Sequence, residues 1–77
     1  MELVKLIDVK QGEKVCFCNI DNMQEDKHKR LMELGFVSGT KIEVLKKTKG
    51  VSLVGLRGFA VALDKEILSK IKVWKVG

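Results

Sequence analysis

The sequence predicts a mainly β domain: a small, partly open barrel of about five short strands, with one inserted α-helix and a short helical turn before the last strand. Three observations carry this. Strand-forming residues come in short runs separated by Gly, Asp and Asn. Only residues 23–34 carry helix signals at both ends. A chain of 77 residues is one domain, 1–77, and it buries only roughly 60% of the surface its unfolded form exposes, so its core is small.

"LIDVKQGEKV" sets Leu6 and Val9 three apart and then reaches Gly12, which reads as one helical turn ending in a loop. "KVCFCNI" is rich in strand formers and is expected to be the first strand. Asp21 and Asn22 break it. Asn22 is a good N-cap and Glu25 completes a capping-box pattern, which starts the helix at Met23. The apolar face of that helix is short, formed by His28, Leu31 and Leu34. Residues 24–30 are almost all polar and are expected to be solvated.

Gly35 stands where a helix needs a left-handed residue at its end, and Phe36 is then placed to fold back onto Leu31. Gly39 suits the positive φ of a type II turn. In "TKIEVLKK", Ile42 and Val44 fall on one side of a strand. "KTKG" is a turn closed by Gly50. "VSLVGLRG" and "FAVAL" are two strands meeting near Gly58. "DKEILSK" is a helical turn with Asp64 as its cap, and "IKVWKV" is the last strand. Phe17, Phe36 and Phe59 suit the core, whereas Trp74 alternates with Val73 and faces away from it.

Net charge is +5, and it is uneven: residues 1–40 carry −1 and residues 41–77 carry +6. A positive surface on the second half favours acidic partners. Lys46, Lys47 and Lys49, together with Lys41, are its centre. Trp74, flanked by Lys72 and Lys75, is a further candidate contact, as are Lys27 and Lys29 on the polar start of the helix. No apolar run approaches the ~20 residues of a membrane span. "MELVKLIDV" lacks the basic start, apolar middle and cleavage site of a signal peptide. The expected location is therefore cytoplasmic, with no membrane insertion.

Chemistry-bearing residues are few. Cys16 and Cys18 form Cys-x-Cys on a strand, both on one face at period 2. With His28, the only histidine, they are the candidate metal ligands, but zinc sites prefer wider pairs and four donors. No specific metal site and no cofactor is expected; weak transition-metal binding at these three residues is the alternative. No serine, cysteine or carboxylate is placed to partner His28, so no catalytic constellation emerges and the chain is not expected to be an enzyme. One Trp and no Tyr argue against a single-stranded nucleic-acid platform.

"KRLMELGFVSGTKIEV", residues 29–44, resembles the signature of the FeoA family, the small cytoplasmic component of bacterial ferrous-iron uptake. Arg30, Leu31, Leu34, Gly35, Phe36, Gly39, Ile42 and Val44 fill its pattern. The resemblance extends over essentially the whole chain: "LIDVKQGEKV" is similar to the family's opening segment, and "GFAVALDKEILSKIKV" to its closing one. Ser38 stands where the family usually has Pro, and Asp64 where it often has Arg. The resemblance implies an SH3-like β-barrel, a module also found at the C-terminus of iron-dependent repressors. The length leaves no room for DNA-binding helices ahead of the barrel. The resemblance further implies a non-enzymatic accessory protein that docks on, and modulates, the membrane ferrous-iron transporter with its cytoplasmic G domain. Two alternatives are a free-standing metal-binding or metal-sensing module and a small basic nucleic-acid-binding barrel.

Overall fold

A computed structural model describes residues 2–75. Strands β1 (Glu2–Lys5), β2 (Lys14–Ile20), β3 (Lys41–Lys47), β4 (Val51–Leu56), β5 (Phe59–Asp64) and β6 (Ile71–Lys75) form one antiparallel sheet in the order β1-β6-β2-β3-β4-β5. A 3-10 turn (Leu6–Asp8) follows β1, helix α1 (Glu25–Leu34) joins β2 to β3, and helix α2 (Lys65–Lys70) joins β5 to β6. The sheet curls around the core while β1 and β5 remain its edges. α2 packs against the 3-10 turn and against β1, β4, β5 and β6, and so bridges the two open sides. This is the partly open barrel that the short strands predict.

Period-2 patterning decides which residues face inward. Val15 and Phe17 on β2, Ile42 and Val44 on β3, Val54 and Leu56 on β4, and Ile71 and Val73 on β6 are all buried. Leu6, Val9, Leu31, Phe36, Leu63 and Leu68 complete the same cluster. The rings of Phe17 and Phe36 meet tilted, with centroids 6.1 Å apart.

Four expectations are corrected. There are six strands rather than five: the short Glu2–Lys5 segment becomes β1 because it pairs with β6, a long-range contact invisible to local pattern. α1 begins at Glu25, not Met23. Gln24 is its N-cap, with no side-chain cap bond, while Asn22 takes positive φ (49°) in the preceding loop. The capping box therefore does not form. Phe59 is not core: it lies at the open end beyond the β4–β5 turn and is 43% exposed. Cys16 and Cys18 do not share a regular strand face, because the β2–β6 register shifts between Phe17 and Asn19, which makes Cys18 the bulged residue. Val76, which the sequence pattern adds to the last strand, lies outside the described residues.

Other elements match their sequence signals. Asp64 accepts a hydrogen bond from the Ile67 N–H at 2.9 Å, capping α2. Gly35 (φ 115°) ends α1: its N–H donates to the Met32 carbonyl, and the Phe36 N–H donates to the Leu31 carbonyl, both at 3.0 Å. That double return is a Schellman motif. Gly39 (φ 90°) then turns the chain, and its N–H donates to Phe17 O.

Candidate interaction surfaces

The basic turn expected around Lys46, Lys47 and Lys49 forms the β3–β4 connection. Lys46 lies on β3, opposite Leu53 on β4, and Lys49 lies in the turn; both are exposed. Lys47 behaves differently. Its ammonium donates to the carbonyls of Ile7 (2.9 Å) and Val9 (3.1 Å), and its backbone N–H donates to Gln11 Oε1 at 2.9 Å. Lys47 thus ties β3 to the loop after the 3-10 turn, so this exposed side chain, expected as a partner contact, also clamps the fold. Lys65, at the start of α2, joins Lys47 and Lys49 around the same small recess. Its N–H donates to Gly50 O at 3.0 Å, so the turn and α2 are held together.

A second basic region lies where β3, β4 and the start of β5 meet the β4–β5 turn. A shallow groove of about 610 Å³ is floored by Leu45, Gly55 and Phe59 and edged by Lys14, Lys41 and Arg57. Leu45 follows the buried Val44 and by alternation points away from the core. It lies over Gly55, where an added Cβ would sit 3.1 Å from Leu45 Cδ1. Arg57 and Gly58 form the two-residue β4–β5 turn, with φ of 50° and 83°, as a type I′ hairpin requires. The Arg57 side chain runs back over Gly35, where a Cβ would meet Arg57 Cδ at 2.9 Å. Gly35 therefore meets two demands, a left-handed helix end and room for Arg57. Sequence reasoning passed over Lys14 and Arg57. An "RG" pair between two apolar runs was the available signal for the turn, though not for where its arginine packs.

Trp74 faces away from the core, as alternation predicts, and is half-buried. It stands in register with Leu3 on β1 and Cys16 on β2. Its flanking lysines are engaged: Lys72 pairs with Asp21 at 3.0 Å and Lys75 with Glu13 at 3.4 Å. The Glu13 carboxyl also accepts from the Lys10 N–H at 2.8 Å; that bond, aided by Lys75, holds its pKa below the usual glutamate value. Trp74 thus sits in an apolar strip with Leu3, and the charges beside it are largely neutralised.

On α1, Lys29 and Arg30 are exposed, and Lys27 approaches Glu66 of α2 at 3.9 Å. Cys18 and His28 line one small depression beside Met32 and Phe36, whereas Cys16 lies elsewhere, opposite Trp74. Both cysteines are free thiols. Among the described residues no three His, Cys, Asp or Glu side chains converge on one point. No helix among them is long and apolar enough to cross a membrane.

A protein-family model for the FeoA domain matches residues 4–75. Several solved structures share the fold. A FeoA protein from Chlorobium tepidum superposes with a TM-score of 0.88 at 24% identity, covering 96% of this chain and 71% of that one. A zinc complex of FeoA from Stenotrophomonas maltophilia, described as a prokaryotic SH3 domain protein, gives 0.81 at 20% identity over 91% of this chain and 88% of that one. The IdeR of T. acidophilum gives 0.86 at 17% identity; 99% of this chain is covered but 35% of that chain, so the match is to one part of a longer protein. No curated protein sequence matches. At these identities the structural likeness establishes the SH3-like fold.

Proposed function

The chain belongs to the FeoA family, and from that premise we propose that it is a non-enzymatic accessory protein of ferrous-iron uptake that docks on the cytoplasmic part of the membrane transporter and modulates it. Family membership supports the role in ferrous-iron transport. The Stenotrophomonas maltophilia protein is itself described as a candidate ferrous-iron transport activating factor. The observation that carries docking, rather than chemistry, is the distribution of side chains. The interior is filled by aliphatic and phenyl groups, with Ser52 the one buried polar residue among the described residues. Activity then belongs to the surface, and the exposed cations Lys46, Lys49, Lys41 and Arg57 draw an acidic face toward the molecule, chiefly by raising the association rate.

Binding of the soluble cytoplasmic part of the cognate transporter tests this. Lys46→Glu with Lys49→Glu should weaken binding and leave the fold intact, because neither side chain is among the bonded groups described above. Wild-type binding should also weaken as salt rises, since exposed charges are screened beyond roughly 8–10 Å at physiological ionic strength. Lys47 is left intact in this variant because its reversal would break the clamp on Ile7 and Val9. Binding that ignores both the reversal and salt would move the interface to the Leu3–Trp74 strip. No binding at all would end the docking reading.

One observation favours a secondary reading, the shared depression of Cys18 and His28. Two donors fall short of the four of a structural zinc site, so any affinity there should be weak. Cys16→Ser with Cys18→Ser should leave transporter binding intact. One equivalent of iron or zinc in the wild type, lost in that double variant, would make the protein a metal-binding module instead.

A further inference from the structure

We propose that the β5 edge is a self-recognition surface, on which two copies of the chain pair antiparallel about Val61 and extend their sheets into one. The argument starts from backbone geometry. β5 is an edge of the sheet, bonded to β4 alone. The Lys65 N–H donates to the carbonyl of Gly50. Continuing that register, residues 63, 61 and 59 exchange bonds with Ser52, Val54 and Leu56, because bonded and non-bonded pairs alternate in an antiparallel ladder. The N–H and C=O groups of Ala60 and Ala62 therefore point away from β4. Both residues are exposed, and no strand lies beside them among the described residues.

The sequence of this edge reads nearly the same in both directions: Phe-Ala-Val-Ala-Leu, residues 59–63. A two-fold axis through Val61 sets Ala60 opposite Ala62 of the second copy, and Ala62 opposite its Ala60. These are the residues whose backbone groups are free, so the two pairs close four hydrogen bonds. Val61 meets Val61 as the non-bonded pair between them, where side chains approach most closely. Phe59, 43% exposed, comes opposite Leu63 of the second copy and loses part of that exposure.

Charge agrees with this pairing. Residues 59–63 carry none, and none of the Lys or Pro devices that blunt natural edges is present. Beyond the ends, the axis brings Arg57 toward Asp64 of the second copy, while Lys65 has already turned into α2. The interface is isologous, as two-fold pairing demands. It does not depend on the transporter reading and is tested without the transporter.

Sedimentation equilibrium from about 10 µM to about 1 mM, the range in which a small interface dissociates, should show reversible monomer–dimer exchange. Amide hydrogen exchange should slow with concentration at Ala60 and Ala62, and stay unchanged at Val61, whose N–H is already bonded. Ala62→Pro removes an outward N–H from each copy, a change an edge strand tolerates. It should weaken association at least about tenfold, from the loss of two hydrogen bonds, with an unchanged circular dichroism spectrum. If that variant misfolds, Ala60→Lys with Ala62→Lys, which places like charges across the axis, should give the same loss. A monomer throughout the range overturns the proposal and leaves the edge to a strand from another protein. A dimer that survives these variants, or that protects other amides, overturns it equally.

Discussion

α1 is the longer helix, with ten residues, yet it buries one side chain, Leu31, and its N-cap Gln24 offers no side-chain bond. α2 has six residues, is capped by Asp64, buries Leu68, and packs against the 3-10 turn and four strands. Length and integration are therefore uncoupled here. α2 is structural filling for the gap between the sheet edges. α1 is held at its C-terminal end, where Leu31, Gly35 and Phe36 lock onto the barrel and Arg57 lies over Gly35. Its first turns stand in solvent with Glu25, Asp26, Lys27 and Lys29 exposed. The family-signature residues lie at the locked end, and the polar turns are free to vary or to meet a partner.

The largest effects should come from the two anchors. Phe36→Ala empties a fully buried site packed on Phe17 and should cost about 3–5 kcal/mol; Leu68→Ala beneath α2 should cost about 2–5 kcal/mol. In a domain this small, either is a large share of the total stability. Chemical denaturation measures both. A Phe36→Ala loss below that of a typical surface change would mean that α1 is not locked where the comparison places it.

Gly35→Ala comes next. It forces a Cβ into positive φ and against Arg57, so it should cost more than about 1 kcal/mol. Because Arg57 is a flexible side chain, Arg57→Ala should recover the packing part of that loss and leave the conformational part. Full recovery, seen as equal denaturation midpoints for Arg57→Ala with and without the Gly35 change, would show that the left-handed requirement is minor.

Capping separates the helices at lower energy. Asp64→Ala should cost about 1 kcal/mol, since the Ile67 N–H loses its acceptor. Gln24→Ala should cost close to nothing, because no cap bond is lost. Equal losses at the two positions would erase the contrast between a capped and an uncapped helix.

The same contrast marks what was legible in the sequence. Asp64 followed by a helical turn is a local signal with a local outcome, and it held. Asn22 followed by Glu25 is an equally good local signal, but the chain uses Asn22 at positive φ to leave β2, and tertiary geometry overrode the cap. The helix end at Gly35, the inward sets of β2, β3 and β6, and the outward Trp74 follow from period and glycine placement alone. What the sequence hid depends on partners distant in the chain. β1 exists through β6. Phe59, at the start of β5, is exposed although its strand partner Leu56 is buried. Lys47 is spent on the Ile7 and Val9 carbonyls, and Arg57 joins Lys41 across strands. Charge counts find a basic half, but only the fold shows which lysines are free.

The smallest effect concerns the one contact that links the helices directly among the described ion pairs, Lys27 with Glu66 at 3.9 Å. Both side chains are more than half exposed, and Glu66 also has Lys70 at 4.0 Å within its own helix. Removing Lys27 leaves Glu66 partnered, so a double-mutant cycle between the two should return a coupling below about 0.5 kcal/mol, declining as salt is added. With so little stability at stake, Lys27 and Lys29 can be reversed to Glu without unfolding α1. Transporter binding by the Lys27→Glu, Lys29→Glu protein then reads α1 as a surface rather than a strut: slower association at low salt, with the two rates converging as salt screens the charges, is expected if its polar turns face the partner. An unchanged rate would confine the interface to the strands. A coupling above about 1 kcal/mol would instead mean that α1 leans on α2 for its position, and the contrast between the two helices would fail.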